Sequence, residues 1–236
     1  MPIFRISYQE EGCAATLCNY GCNWDCSICS YRLREDFQPS RFLSLDEVLE
    51  ALSSYHIETL NIIGGEPTII SGLQEIVRFA KSEKKAKVKI AHSNASVLPP
   101  LEVDEVGVSL RAVSKRKHQQ MTGVPNTKVL SNIFRMHDVG IKLKLSTILI
   151  PDMVDVDEIE EIAKFLASVG SDVPLHITGY IPVPGIPWRR PNREEMADAV
   201  IAAKRHLPRV TCSTMTVREF MSMSERDSLH GLSKVV

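Results

Sequence analysis

A chain of 236 residues with 28 Lys+Arg against 29 Asp+Glu, and so a formal charge of −1, has no bulk attraction for nucleic acid or for an acidic membrane surface. Its 44% hydrophobic and 24% charged residues, with no low-complexity tract, are those of a globular protein with a sizeable core. No apolar run approaches the roughly 18 residues that cross a bilayer, and the opening Met-Pro-Ile-Phe-Arg-Ile lacks a signal-peptide pattern, so a cytoplasmic location is expected.

Residues 4–8 alternate apolar and polar side chains, which predicts a short first strand leading into a cysteine-rich stretch. Five of the six cysteines fall between positions 13 and 29, and in a chain that is neither small nor exported this points to metal rather than disulfides. Within the run C-N-Y-G-C-N-W-D-C-S-I-C-S, Cys22, Cys26 and Cys29 are separated by three and two residues, so one loop can turn three thiolates toward one centre. Soft thiolates select iron–sulfur clusters or zinc over hard cations. A structural zinc site usually wants four protein ligands, whereas three cysteines on a four-iron cluster leave one iron open for substrate.

Residues 43–52 have helical periodicity, with Ser44 as N-cap and Glu47 closing a capping box. A strand over 59–63 then stops abruptly at Gly64-Gly65-Glu66-Pro67, where glycines would let backbone approach a ligand closely. The pattern repeats: a helix over 73–82, a strand over 88–91 ending at His92-Ser93-Asn94, and a strand over 105–110 ending near Arg111. A helix over 127–137 stops at Gly140, and a strong strand over 141–149 precedes a helix over 156–168. A sixth strand over 174–178 leads into a proline-rich loop over 179–191 carrying Trp188, read as a packed surface loop or a lid, and then a helix over 193–206. Six strands alternating with helices argue for an α/β fold with a parallel sheet, too few for an eight-stranded barrel. Ligand-binding loops of such folds gather at the carboxyl ends of the strands. The basic clusters at 81–89, 111–117 and 189–193 read as solvated faces or as anion contacts.

At Cys22-x3-Cys26-x2-Cys29, with Ile28 before the third cysteine, the chain resembles the radical S-adenosylmethionine (radical SAM) superfamily, and Gly64-Gly65-Glu66-Pro67 looks like that family's GGEP element. Residues 103–153, with V-D-E-V-G-V-S-L-R, Met121-Thr122-Gly123-Val124 and L-S-T-I-L-I-P-D-M-V-D, resemble the activating enzymes of glycyl-radical enzymes such as pyruvate formate-lyase. The resemblance implies an incomplete (β/α)6 TIM-like barrel over residues 1–210, with 211–236 as a C-terminal extension that docks as a short helix or forms a tail. It implies a [4Fe-4S] cluster on Cys22, Cys26 and Cys29. It implies S-adenosyl-L-methionine held by Gly64, Gly65, Glu66 and Pro67, by Ser93 and Asn94, by Ser109 and Arg111 at its carboxylate or ribose, by Thr147 near the adenine, and by His176. It further implies a low-potential electron donor such as ferredoxin or flavodoxin and, in that branch, a protein substrate. Ser109 stands where that branch carries an acidic residue, and Ser30-Tyr31 follows the third cysteine in place of the histidine or asparagine often found there. Cys13, Cys18 and Cys212 are either ligands of an auxiliary cluster or ordinary thiols. A radical reaction on a small molecule and a non-catalytic iron–sulfur electron-transfer module are the other readings.

Overall fold

Period-two alternation of Leu, Ile and Val with polar residues builds most of the sheet. In a computed structural model, residues 2–34, 38–222 and 232–235 are described. An antiparallel hairpin of β1 (Ile3–Gln9) and β2 (Ala14–Asn19) is followed by α1 (Leu45–Ser53), β3 (Thr59–Ile63), α2 (Leu73–Ser82), β4 (Lys87–Ser93) and β5 (Glu105–Ser109). Then come α3 (Lys115–Thr122), α4 (Thr127–Asp138), β6 (Lys142–Leu149), α5 (Val156–Val169), β7 (Leu175–Gly179) and α6 (Arg193–Lys204). The last elements are β8 (Val210–Ser213), α7 (Val217–Met221) and β9 (Leu232–Lys234). Among the described residues nine strands lie in one open sheet in the order β8-β7-β6-β5-β4-β3-β2-β1-β9. From β2 to β8 every neighbouring pair is parallel, whereas β1 runs antiparallel to both β2 and β9. This is the α/β partial barrel expected, open rather than closed.

One face of the sheet carries Leu17, Leu60, Ile62, Val88, Ile90, Val106, Val108, Leu143, Leu145 and Ile177, all at most 4% exposed and packed with buried positions of the helices. Burying each such side chain contributes about 1.5–3 kcal/mol, enough to fix the register, since a one-residue slip would turn the whole set to the other face. The opposite face is polar and lines the lumen. In lateral register it carries Asn61, Lys89, Glu105 and Lys142 in one row and Ser109, Ser146, His176 and Thr211 in a row nearer the carboxyl ends. Lys144 pairs with Glu105 at 2.7 Å inside it.

Several sequence expectations need correction. The expected first strand is present as β1, but it runs antiparallel between β2 and β9. The strand that carries the chain into the cysteine loop is β2, in which Cys18 is a buried strand residue rather than part of a loop. Small Ala and Thr residues among the thiols hide its alternation. The basic stretch at 111–117 runs into α3, where Lys117 contacts Glu158 at 3.3 Å and Asp155 at 3.4 Å. The expected boundary at 210 falls on the first residue of β8, and β9 adds to the opposite edge, so residues after 210 complete both edges of the sheet. Residues 223–231 of that C-terminal stretch lie outside the described residues. The capping box of α1 is borne out, with Glu47 N–H on the Ser44 hydroxyl and the Glu47 carboxylate on the Ser44 N–H.

One buried carboxylate ties the helix layer to the segment after β5. Glu158 of α5, 5% exposed, accepts from the backbone N–H of Val113 at 2.8 Å and of Ser114 at 2.9 Å, and faces the Lys117 ammonium. Glu158→Ala leaves the partly buried N–H groups of Val113 and Ser114 without their acceptor and Lys117 with Asp155 alone, and is expected to lower stability by about 2–3 kcal/mol in urea unfolding. Glu161→Ala, which removes only the exposed pair with Lys164, should change it far less.

Candidate functional site

Because β2 and β3 are parallel neighbours, the loops that follow them lie side by side at the carboxyl end of the sheet. The first holds the three cysteines and the second is Gly64-Gly65-Glu66-Pro67. The join is backbone against backbone. Gly64 and Gly65 have φ of +86° and +50°, and a Cβ on them would meet the Asn19 carbonyl oxygen at 2.4 Å and the Gly21 carbonyl oxygen at 1.8 Å. Glycine is required here by the cysteine loop itself. The Asn19 amide donates to the carbonyls of Gly21 at 3.2 Å, Gly64 at 3.1 Å and Glu66 at 3.2 Å, and Glu66 N–H donates to Gly21 O at 2.9 Å.

Glu66 is fully buried. Its Oε1 accepts from Thr68 N–H at 3.1 Å, Thr68 Oγ1 at 2.7 Å and Ser93 Oγ at 2.9 Å, and its Oε2 from Asn94 N–H at 2.6 Å. Two donors on Thr68 and two at the end of β4 thus hold this carboxylate, and the side chain is turned into the protein. Asn94 continues the chain of contacts: its amide nitrogen lies 2.9 Å from Asn23 Oδ1 and 3.7 Å from Cys22 Sγ. Pro67 opens a short helical turn and is buried. Ser93 at the end of β4 and Asn94 just after it are also buried and hold the turn in place.

The far side of the cysteine loop rests on α3. Ser27 N–H donates to Met121 O at 2.9 Å, and the Trp24 ring meets His118 edge-on at 5.4 Å. His118, 1% exposed, is held by Val124 O at 2.8 Å and Thr122 Oγ1 at 3.1 Å, and burial lowers its pKa. The Met121–Val124 segment is therefore a support for the loop. Within the loop, Cys29 N–H bonds Cys26 O at 3.1 Å, and the Arg32 guanidinium bonds the same carbonyl at 3.1 Å.

Desolvation raises the pKa of the Cys22 thiol, although the residue keeps exposed surface, and pushes the Cys26 thiol up to about 11; Cys29 adds to the cost of ionising both, and Cys22 to that of Cys26. The Arg111 guanidinium acts in the opposite direction on Cys26. Arg111 is half-buried, and among the described residues it has no carboxylate partner. Three thiols on one loop, two of them costly to ionise alone, beside a cation with no carboxylate partner among the described residues, fit an iron–sulfur cluster, whose positive irons replace the displaced protons.

The remaining expected residues divide. Ser109 and Ser146 are lateral neighbours with hydroxyls 3.3 Å apart on the lumen face. His176 also faces the lumen, but both ring nitrogens are taken by β8 hydroxyls, Thr211 and Ser213, each at 2.8 Å. Partial desolvation together with the charges of Arg111 and His176 lowers the pKa of His92, an exposed residue at the end of β4. Thr147 is a correction: strand parity puts it on the helix-packed face, 2% exposed, while Ser146 and Ile148 face the lumen. The auxiliary-cluster grouping is a second correction. Cys13 precedes β2, Cys18 is buried within it, and Cys212 is on β8, the edge strand separated from β2 by five strands. Sequence reasoning missed Asn19, Thr68, His118 and Glu158. The first two flank the recognised motifs, but nothing in their local pattern tells of contacts to the neighbouring loops.

Comparison with known proteins agrees with this arrangement. The radical SAM superfamily model matches residues 17–166, well over half of the chain. A Methanocaldococcus jannaschii protein provisionally named as a glycyl-radical enzyme activating enzyme is 34% identical over 90% of this chain and 84% of its own. The GTP 3′,8-cyclase of Aquifex aeolicus is 26% identical over 78% of this chain, which spans only 58% of the cyclase. Streptococcus suis SuiB, solved with S-adenosylmethionine bound, shares the fold at a TM-score of 0.63 and 16% identity, covering 87% of this chain and 50% of SuiB. With its three-cysteine loop locked against a Gly-Gly-Glu-Pro turn inside a matching family model, the chain belongs to the radical SAM superfamily of enzymes, which use a [4Fe-4S] cluster and S-adenosylmethionine.

Proposed function

We propose that this enzyme cleaves S-adenosylmethionine reductively and uses the resulting carbon radical to abstract hydrogen from a protein partner, as an activating enzyme of a glycyl-radical protein. The observation that carries the reading is the contact between the loop of Cys22, Cys26 and Cys29 and the Gly64–Gly65 backbone, which joins metal ligands to a bare backbone edge. When bound, the cluster supplies one electron to the sulfonium, releasing methionine and a 5′-deoxyadenosyl radical able to take hydrogen from a C–H bond. The 34% identity to the archaeal relative, over most of both chains, supports the protein-activating branch.

In this reading Cys22, Cys26 and Cys29 hold the cluster, and the Gly64–Pro67 backbone lies along the methionine portion of the cofactor. Glu66 acts through position: its four hydrogen bonds keep that backbone rigid. Arg111 offers its guanidinium to the cofactor carboxylate, with Ser109 beside it. The Asn94 amide near Cys22 Sγ stabilises the anionic sulfur. Electrons come from a low-potential donor such as ferredoxin or flavodoxin. A small-molecule substrate is the second reading, favoured by the lysines at 89, 142 and 144 in a lumen where Glu105 is their facing carboxylate.

Reduced, cluster-loaded protein incubated with S-adenosylmethionine should release 5′-deoxyadenosine, and Cys26→Ala should abolish this with loss of iron. Full iron content with no product sinks the proposal. Adding candidate partner proteins and following a glycyl-radical signal by electron paramagnetic resonance separates the protein substrate from the small molecule. Arg111→Ala should weaken cofactor binding to the loaded protein about 10- to 100-fold by titration calorimetry, with partial recovery in Arg111→Lys. Gly65→Ala should lose most cluster iron on reconstitution while keeping its far-ultraviolet circular dichroism. Gly140→Ala, where no atom lies within 4 Å of an added Cβ, should keep it.

A further inference from the structure

Cys13, left without an auxiliary-cluster role, sits in the turn between β1 and β2, at the opposite end of β2 from the cysteine loop. Six strand residues separate the two, a span of about 20 Å, so its sulfur cannot share the cluster. Its neighbours are His56 and Glu58, in the connection between α1 and β3. The donor atoms of all three lie within 4.8 Å of one another, and His56 Nε2 is 3.6 Å from Glu58 Oε1. We propose that Cys13, His56 and Glu58 form a second metal site, for a single zinc ion, at the amino-terminal pole of the barrel.

The backbone beneath these side chains is fixed before any ion arrives. The Cys13 carbonyl accepts from Glu58 N–H at 2.8 Å and Thr59 N–H at 3.3 Å, and Cys13 N–H donates to Glu10 O at 3.1 Å. The Tyr8 phenol donates to the His56 carbonyl at 2.6 Å. Two chain segments distant in sequence are thereby held with their ligand-bearing residues side by side. Cys13 itself has φ of +44°, a left-handed conformation that glycine or asparagine fills at lower cost. Its thiol lies 3.7 Å from Glu10 O and also meets the Tyr8 phenol.

The donor chemistry is that of zinc. A thiolate, an imidazole and a carboxylate are its usual protein ligands, and three of them leave a fourth position for water. Tetrahedral donors around zinc sit about 3.3–3.8 Å apart, so the set must close by about 1 Å. The His56 and Glu58 side chains, 75% and 69% exposed, are free to turn by that much and leave the ion an open approach. Binding displaces the thiol proton. The ion would clip the β1–β2 turn to the start of β3.

The experiment uses cluster-loaded protein, in which Cys22, Cys26 and Cys29 are already occupied, equilibrated with zinc chloride and desalted. About one zinc per chain is expected in the wild type, with iron unchanged, and almost none in Cys13→Ser or His56→Ala. At about a hundred-fold excess over its dissociation constant zinc should raise the wild-type Tm by about 5 °C or more and leave both variants unmoved. Zinc should also protect the Cys13 peptide from iodoacetamide, read by mass spectrometry. Wild-type protein that takes up no zinc, or variants that retain as much as wild type, overturn the proposal. Should Cys13→Ser fold poorly, His56→Ala, which keeps the backbone bonds, decides alone.

Discussion

The carboxyl end of this barrel depends on two loops being allowed to touch through bare backbone. Gly65 lies so close to Gly21 O that any side chain would enter the oxygen's van der Waals sphere, and Gly64 stands in the same relation to Asn19 O. Asn19 closes the contact by donating to carbonyls on both loops. The cysteine loop has few hydrogen bonds of its own, so its shape is borrowed from the turn after β3 on one side and from α3 on the other. Orientation of a reactive centre to within a fraction of an ångström requires such support from outside the ligands themselves.

Glu66 extends the same constraint to a third strand. A fully buried carboxylate is costly unless its oxygens are satisfied, and here four donors satisfy them. Those donors are on the residues after β3 and at the end of β4, so the charge fixes the relative height of two strand ends. From there Asn94 reaches the Cys22 sulfur. Two elements recognised separately, a cysteine loop and a Gly-Gly-Glu-Pro turn, thus belong to one hydrogen-bonded body.

The two faces of the sheet do different work because side chains alternate strictly. The helix-packed face is aliphatic and holds the barrel together, while the lumen face gathers Ser109, Ser146, His92, His176 and the Lys144–Glu105 pair. Parity explains why Thr147, one residue from two lumen positions, is buried in the helix layer with its hydroxyl unpartnered. It also explains how His176 comes to be pinned by β8, a strand whose four residues carry too weak a pattern to be read locally.

The sequence by itself determined the cysteine spacing, the Gly-Gly-Glu-Pro turn, the parallel α/β order and the capping box of α1, because each is set by neighbours within a few residues. Five of the six parallel strands from β2 to β7 were legible, since their runs of Ile, Leu and Val report burial directly. The remaining one, β2, was hidden by cysteines and alanines, and β1 was legible but given its place. Tertiary structure alone decided that Cys13 belongs to the opposite pole, that Glu66 points inward, and that Asn19, His118 and Glu158 support the site. Those facts arise from contacts between residues tens of positions apart, and such pairings exist only once the sheet has brought strand ends together.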